Sequence, residues 1–390
     1  MNPVVIVGAG PYGLSLASYL RSLNVKYRIF GAPMRPWMDN MPPGMVLKSR
    51  FNASDLYDPK HSFTIKDYYR ENGRIPNDMN PIETETFVNY ALQFQKRFVP
   101  DLCTDMVTHI EPNGKQYRVQ TSGNENIIAS AVIIAVGVYD FAYIPEQFNN
   151  LDKQFLTHSS QYGNVDHFKD KDVAVVGAGA SAIDLAIALQ NANARVSIVT
   201  RRKALSFHLP PETTFLSKLG QIRYPSSPLG AGWRIMFCAH APSMLYRLPF
   251  ATKHKMATMY LGPSPGWSTK ERAQKIETFL ATKIVSLEAK GQQVHMIYER
   301  AQERLSKLVD HIIVATGYRP NINKLSFLES SIVKLVDNLQ GIPILSSNFE
   351  TSSPGLYAIG PIATSSFGPI MRFVYGADFT SRVLSKHLNV

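Results

Sequence analysis

Two glycine-rich turns constrain the fold of this chain more than any other feature of its sequence. The first follows the apolar run Val4 to Val7 and reads Gly8-Ala9-Gly10-Pro11-Tyr12-Gly13. The second follows Val173 to Val176 and reads Gly177-Ala178-Gly179-Ala180-Ser181-Ala182. In such strand-turn-helix segments glycine permits the sharp bend and lets the backbone approach a pyrophosphate, which lies at the helix N-terminus. One copy is a weak signal, but two copies predict that the chain binds two dinucleotides.

Apolar periodicity places each turn in its own βαβ unit. Helices are predicted at residues 14–23 and 181–191, and the strands that follow them at 27–30 and 195–199. Buried strands ending in glycine are predicted at 131–137 and 308–317, and a short strand at 355–360. Helices are also predicted at 270–281 and from about 371 to 387. We therefore predict an α/β fold with two Rossmann-like, doubly wound domains, the second inserted into the first. A small antiparallel meander is expected near residues 109–128.

The residue at the tip of the second strand distinguishes the two sites. In this fold that residue contacts the adenosine ribose, where an acid suits a free 2′-hydroxyl and an arginine suits a 2′-phosphate. Arg201 and Arg202 stand at the tip in the second unit, which favours NADPH over NADH, although an exposed strand-end pair is the alternative. Gly31 stands there in the first unit, so backbone or another group must hold the ribose of its ligand.

The composition is that of a soluble globular protein. Its 390 residues are 45% hydrophobic and 18% charged, which allows two or three domains. No apolar run is long enough to cross a membrane and no basic leader precedes the first strand, so we expect a cytoplasmic protein. Cys103 and Cys238 are in no metal-like or Cys-x-x-Cys spacing, so we predict no metal site and no dithiol redox centre.

Most of the net charge of +11 lies in one quarter of the chain. Residues 201–300 hold 15 Lys and Arg against five Glu, a balance of +10. This excess either attracts polyanionic cofactors or forms a solvated face, and no nucleic-acid-binding module accompanies it. The stretch from Trp233 to Trp267 is also rich in Met and aromatic residues. We interpret it foremost as adaptable apolar core, with a pocket for a lipophilic substrate or a membrane-contacting surface as alternatives.

Three further segments resemble those of an enzyme family. Ala315-Thr316-Gly317-Tyr318, the late strand ending at Gly360, and His158-Ser159-Ser160-Gln161-Tyr162 resemble segments of the two-domain, class B-like flavoprotein monooxygenases. That group includes the flavin-containing monooxygenases, the Baeyer-Villiger enzymes and the lysine and ornithine N-hydroxylases. The His-Ser-x-x-Tyr sequence matches the end of the family's linker fingerprint, whereas Asp152 and Gln154 replace the Phe-x-Gly that normally precedes it.

The resemblance implies an FAD-dependent, NADPH-consuming monooxygenase. Such an enzyme inserts one oxygen atom from O2 into a small organic substrate through a flavin hydroperoxide. FAD would then belong to a discontinuous domain of residues 1–150 and 308–390. NADPH would belong to residues 151–307, with the basic, Met- and aromatic-rich insert at about 204–270.

The predicted site residues follow from the motifs. Those expected to bind FAD are Gly8, Gly10, Pro11, Tyr12, Gly13, Gly31, Trp37, Gly360 and Pro361. Those expected to bind NADPH are Gly177, Gly179, Ala180, Ser181, Ala182, Arg201, Arg202, Thr316 and Gly317. The catalytic residues are not determined by the sequence; the candidates are Lys48, Asn52, Ser159 and Arg372, each of which has a purely structural alternative.

Two other functions remain open. One is an FAD-dependent NAD(P)H reductase that passes electrons to a quinone or a protein without a redox Cys pair. The other is a redox sensor that binds both nucleotides with negligible turnover. The sequence leaves the substrate and the oligomeric state undetermined.

Overall fold

The computed structural model describes residues 2–208, 222–259 and 264–389. Two parts of the predicted insert, residues 209–221 and 260–263, lie outside the described residues. In the part of the chain that is described, no helix is both long enough and apolar enough to cross a membrane.

The helices and strands are numbered here in chain order. The helices are α1 (Pro11–Ser22), α2 (Arg35–Asp39), α3 (Ile65–Glu71), α4 (Thr84–Phe98), α5 (Ala180–Asn191), α6 (Trp233–His240), α7 (Pro242–Tyr246), α8 (Phe250–Met259), α9 (Lys270–Ala273), α10 (Ser330–Leu335), α11 (Thr364–Phe367) and α12 (Gly376–Leu388). The strands are β1 (Val4–Val7), β2 (Tyr27–Phe30), β3 (Val107–Asn113), β4 (Gln116–Thr121), β5 (Asn126–Ala129), β6 (Ala131–Ile134), β7 (Leu156–His158), β8 (Asp172–Val176), β9 (Arg195–Val199), β10 (Ser226–Ser227), β11 (Gly230–Ala231), β12 (Glu277–Phe279), β13 (Lys283–Lys290), β14 (Gln293–Arg300), β15 (Glu303–Val309), β16 (His311–Val314), β17 (Asn338–Leu339), β18 (Ile342–Pro343) and β19 (Leu356–Ala358).

The first sheet is parallel and has the strand order β19-β6-β1-β2. β1 and β6 are four-residue aliphatic runs in which every residue is buried, as expected for strands covered on both faces. Helix α1 packs against α4 and α12. Because parallel strands end at the same edge, the segments that follow β1, β2 and β19 come together there.

The second sheet is also parallel, with the order β12-β9-β8-β16-β7. Its central unit is β8, α5 and β9, as the sequence predicts. The α/β class, the two Rossmann-like sheets and the meander β3-β4-β5 are therefore confirmed.

The predicted strand 308–317 forms two separate elements in the structure. It is divided at Asp310, whose backbone N–H donates to the carbonyl of Asp172. β15, before this point, belongs to a second antiparallel meander, β13-β14-β15, and β16, after it, joins the second sheet between β8 and β7. The chain returns to the first unit at Tyr318, which pairs antiparallel with Ala142.

Two predicted helices are shorter than expected. Residues 270–281 form only α9, because β12 adds to the edge of the second sheet beside β9. The C-terminal helix begins at Gly376 instead of near residue 371, and a short 3₁₀ helix, Pro369–Arg372, precedes it. Strand pairing overrides the local helical preference in the first case. In the second, the carbonyls of Met371 and Phe373 lie within hydrogen-bonding distance of the Tyr12 hydroxyl.

Candidate dinucleotide sites

The two glycine-rich turns have nearly the same local geometry. Gly8 (φ +116°) and Gly177 (φ +150°) both have positive φ, and a Cβ atom on either would lie 2.5 Å from the carbonyl oxygen of a neighbouring segment. That oxygen belongs to Ala135 after β6 in the first unit and to Ala315 after β16 in the second. Only glycine fits such an approach, so both turns are fixed against the adjacent strand, at the point where the strand order changes direction.

The second glycine of each turn begins the helix with the same extended backbone. Gly10 has φ −85° and ψ −173°, and Gly179 has φ −88° and ψ −179°. No side chain caps either helix, and neither helix has an acidic residue in its first turn. A Cβ at Gly10 would meet nothing within 4 Å. The free N–H groups and this open space fit the pyrophosphate of a dinucleotide.

Tyr12 connects the first turn to the C-terminal part of the chain. Its buried hydroxyl donates to the carbonyl of Phe373, 2.9 Å away, and also lies 3.0 Å from that of Met371. A Cβ at Gly360 (φ +77°) would lie 3.4 Å from the Tyr12 ring. The Tyr12 side chain therefore anchors the segment that begins at Gly360-Pro361. That Tyr12 also binds FAD stays a prediction.

The loop after β2 folds back over the first turn. Gly31 (φ +127°) donates its N–H to Cys103 at 3.0 Å, and Met34 donates its own to the Ala9 carbonyl at 3.1 Å. Helix α2 follows directly and carries Trp37, whose ring lies 4.9 Å from that of Phe87. This loop brings Gly31 and Trp37 into the neighbourhood of Gly8 to Gly13, although most of the Trp37 packing that the structure describes is with the core.

The carboxyl edge of the second sheet gathers the residues predicted to bind NADPH. Gly177 follows β8, and Arg201 and Arg202 follow β9; Thr316 and Gly317 follow β16. Both arginine side chains are exposed and neither forms an ion pair among the described residues. Their backbone is fixed, since the N–H of Arg202 donates to the Thr200 hydroxyl at 3.2 Å. The two arginine side chains thus extend into solvent from a fixed backbone at the strand tip.

Thr316 and Gly317 hold the connection between the two units. The Thr316 hydroxyl donates to the carbonyl of Tyr143, and the carbonyl of Gly317 accepts from the Tyr143 N–H at 3.0 Å. Arg319 donates its N–H to Phe141 at 2.7 Å. Residues 141–143 and 317–319 therefore run side by side as a two-stranded connection.

His158 fastens this connection to the end of β7. Its Nε2 donates to the Gly317 carbonyl at 3.1 Å, while its Nδ1 accepts from the Ser160 N–H at 3.1 Å. The ring meets that of Tyr318 edge-on at 5.3 Å, and burial lowers the pKa of His158, which favours the neutral ring. The histidine of the His-Ser-x-x-Tyr motif is thus a structural residue. Ser159 beside it is buried, and its hydroxyl has no partner among the described residues.

Lys48 forms an ion pair with Asp184 that joins the two units. Lys48 lies in a loop of the first unit and Asp184 lies in α5; their side chains are 18% and 3% exposed. Among ion pairs of described residues this is the most buried, and Lys48 Nζ also donates to the Val46 carbonyl at 2.9 Å. Burial raises the pKa of Asp184, and the charge of Lys48 partly offsets this. Sequence analysis missed Asp184, although a single carboxylate in the otherwise apolar α5 was a visible signal.

The four catalytic candidates divide into two pairs. Lys48 and Ser159 both lie beside α5, which begins at the second turn. Asn52 is exposed in the 3₁₀ helix Phe51–Ala53, and Arg372 is exposed at the end of Pro369–Arg372. The structure therefore brings Lys48 and Ser159 to the second nucleotide turn, and it leaves Asn52 and Arg372 on the surface.

Comparison with known proteins agrees with this geometry. The sequence profile of the pyridine nucleotide-disulphide oxidoreductases matches residues 5–214, which include both glycine-rich turns. The chain belongs to this family. The chain has only two cysteines, Cys103 and Cys238, and both are free thiols.

Individual members of the family and related folds extend the comparison. The chain is 28% identical over 208 residues to the ferredoxin–NADP reductase of Beijerinckia indica, covering 52% of this chain and 54% of that protein. It is 24% identical over 383 residues to the probable indole-3-pyruvate monooxygenase YUCCA9 of Arabidopsis thaliana, covering 92% and 84%. The chain therefore spans about half the length of this reductase. It likewise spans 51% of the length of a CzcO-like oxidoreductase of Geobacillus kaustophilus.

One solved structure matches the fold over its whole length. The ornithine N-hydroxylase KtzI of Kutzneria sp. 744, solved with reduced FAD, NADP⁺ and L-ornithine, has a TM-score of 0.79 and 17% identity. The match covers 100% of this chain and 99% of that one. The two-sheet arrangement of this chain is therefore the fold of that structure.

We predict that Asp184→Ala lowers the free energy of unfolding by about 3 kcal/mol, because it leaves the half-buried Lys48 ammonium without its counter-charge. Replacing both partners, as Lys48→Met with Asp184→Leu, should recover most of the loss. Urea-induced unfolding followed by circular dichroism measures both variants. The control is Glu125→Ala, which breaks the more exposed pair with Arg28 and should cost much less. Equal losses for Asp184→Ala and Glu125→Ala would contradict the prediction.

Proposed function

We propose that this protein is an FAD- and NADPH-dependent monooxygenase that inserts one oxygen atom from O2 into a small organic substrate. FAD binds at the first turn, with Gly8 to Gly13, Gly31 and Gly360-Pro361 around it. NADPH binds at the second turn, with its 2′-phosphate at Arg201 and Arg202. Two similar turns in two parallel sheets, joined by a two-stranded connection, support the binding of two dinucleotides in one chain.

The packing of the insert favours oxygenation over electron transfer to an external protein. Helices α7 and α8 pack against α11, in the segment that follows Gly360-Pro361. Tyr246 stacks on Phe367 at 5.2 Å, and His254 Nδ1 lies 3.1 Å from the Ser365 hydroxyl. An oxygenating enzyme needs a site from which water is excluded, and these helices cover the segment beside the proposed FAD site. This packing of α7 and α8 on α11 is the observation on which the proposal chiefly rests.

The bound cofactors would supply the redox chemistry, with reducing equivalents from NADPH reaching O2 through FAD. The chain would bind and orient them. The N-terminus of α1 receives the FAD pyrophosphate and that of α5 receives the NADPH pyrophosphate. His158, with its neutral ring, holds the connection between the units, and Lys48 with Asp184 holds the loop of the first unit against α5. Phe367 belongs to the core beneath α7 and α8, since it is buried and stacks on Phe349 at 4.0 Å.

A reductase that passes electrons to a quinone or protein is the second candidate. The similarity to ferredoxin–NADP reductases supports it, including a match to that of Thermus thermophilus over 93% of this chain. Because the chain has no Cys-x-x-Cys, such a reductase would not use a local dithiol.

The deciding experiment is turnover under ¹⁸O2. The FAD-loaded protein is supplied with NADPH and, in separate reactions, with a primary amine, a thioether or a ketone. Mass spectrometry determines the mass of each product. We expect one of these classes to gain a single ¹⁸O atom while accelerating NADPH oxidation. If a quinone or ferredoxin accelerates NADPH oxidation and no product carries ¹⁸O, the protein is a reductase.

We predict that Gly10→Val abolishes FAD retention without unfolding the protein. The added side chain enters open space in the chain itself, but it occupies the approach of the pyrophosphate. FAD content after purification should fall by about tenfold or more, which corresponds to ~1.4 kcal/mol. Circular dichroism checks the fold. Gly10→Ala, which adds only a methyl group at the same position, should lower the FAD content less. A Gly10→Val protein that retains its flavin would show that FAD does not bind at this turn.

We predict that Arg201→Ala combined with Arg202→Ala weakens NADPH binding by about ten- to hundredfold and leaves NADH binding nearly unchanged. The loss corresponds to charge-assisted hydrogen bonds to phosphate worth about 1.5–3 kcal/mol. Titration of both nucleotides measures the two affinities in one variant. Lys203→Ala, the next exposed residue, is the matched control. Parallel losses for NADPH and NADH would refute the assignment of the 2′-phosphate.

A further inference from the structure

The apolar residues of the insert divide into a buried set and an exposed set. Cys238 and Leu245 are fully buried in the main core, and Phe237 and Tyr246 are half-buried against it. The sequence-based interpretation of this stretch as apolar core holds for these residues. It does not hold for Trp233 and Met244, which are exposed. Together with the exposed apolar residues Ile222 and Tyr224 and the exposed Arg223 and Arg247, they form what we call the insert surface.

The large apolar members of the insert surface are mostly in solvent. Ile222 is 66% exposed, Tyr224 55%, Trp233 62% and Met244 59%. Apolar side chains scattered singly over a surface are ordinary, but several within one short segment mark an interaction site.

A hairpin brings three of these side chains together. β10 and β11 pair antiparallel, and the N–H of Gly232 donates to the Pro225 carbonyl at 2.8 Å. The indole N–H of Trp233 donates to the Ile222 carbonyl at 2.9 Å. The indole is thereby held across the segment before β10 that carries Ile222 and Tyr224, with its polar atom satisfied and its ring exposed.

The charge around these residues has one sign. Residues 213–270 contain seven Lys and Arg and no Asp or Glu. Arg223 and Arg247 are exposed within the insert surface, and Lys255 is exposed nearby. On the neighbouring C-terminal helix Asp378 lies close to His240, but it is paired with Arg382 at 2.8 Å.

We propose that the insert surface docks on the surface of an anionic lipid bilayer. Trp and Tyr prefer the headgroup level of a membrane, where the ring is in an apolar layer and its polar atom is not. Arginines beside them attract anionic headgroups, and the aliphatic chains of Ile222 and Met244 enter the acyl boundary. The positive charge, complementary to anionic headgroups, and the exposed aromatic residues together favour an anionic bilayer as the partner. The inference is independent of the proposed oxygenation chemistry.

The test is co-sedimentation of the full-length, FAD-loaded protein with vesicles. One set is phosphatidylcholine alone and the other is equal parts phosphatidylcholine and phosphatidylglycerol. We expect binding to the phosphatidylglycerol vesicles, weakened by added salt, and at least about tenfold less binding to phosphatidylcholine. Equal binding to both, or none to either, overturns the proposal. It is also overturned if the surface captures a soluble acidic protein while the vesicles stay unbound.

Two variants identify the residues. Ile222→Ser with Trp233→Ser removes apolar contacts, and Arg223→Glu with Arg247→Glu reverses charge; each should reduce vesicle binding by about tenfold or more. Ile75→Ser is the control, because Ile75 is 89% exposed in a segment remote in sequence from the insert. Circular dichroism and FAD content verify that each variant folds. If the two insert variants bind vesicles as tightly as Ile75→Ser, the insert surface is not the docking site.

Discussion

The architecture depends on how closely two glycines approach the strands beside them. At Gly8 and at Gly177 the backbone passes so near a carbonyl oxygen of the adjacent segment that any side chain would collide with it. This approach fixes where each helix begins and aims its free N–H groups at the crevice between the central strands. The positions of Gly10, of Arg201 and of the segment after β19 all follow from that placement, since the parallel strands deliver their ends to the same edges.

Side chains near the two turns couple them to distant parts of the chain. Tyr12, inside the first motif, is hydrogen-bonded to the segment before α12, and His158, before the second motif, is hydrogen-bonded to the connection between the units. The sequence predicts that Tyr12 binds FAD and places His158 in a linker motif, and the structure uses the polar side-chain atoms of both within the chain. A motif in this fold therefore combines residues that meet the ligand with residues that hold the ligand-binding backbone in place.

The features that the sequence predicts correctly depend on residues that are close together along the chain. The turns, the strands around them and the arginine pair at the tip of β9 follow from periodicity and from the conformations that glycine alone adopts. What it misses depends on contacts between remote residues. Asp184 and Lys48 are 136 positions apart, β12 becomes a strand only because β9 offers an edge, and the turn at Asp310 is fixed by Asp172. The positions of Lys48 and Ser159 likewise depend on α5, which both contact although they are distant from each other in the sequence.

The two-stranded connection formed by residues 141–143 and 317–319 limits how the two units can move. A single covalent crossing would allow the second unit to swivel, but two crossings tied together by hydrogen bonds resist twisting and allow bending mainly about one axis. The Lys48–Asp184 ion pair adds a third contact between the two units, away from the connection itself. Twisting one unit against the other would have to break these backbone hydrogen bonds and this ion pair together.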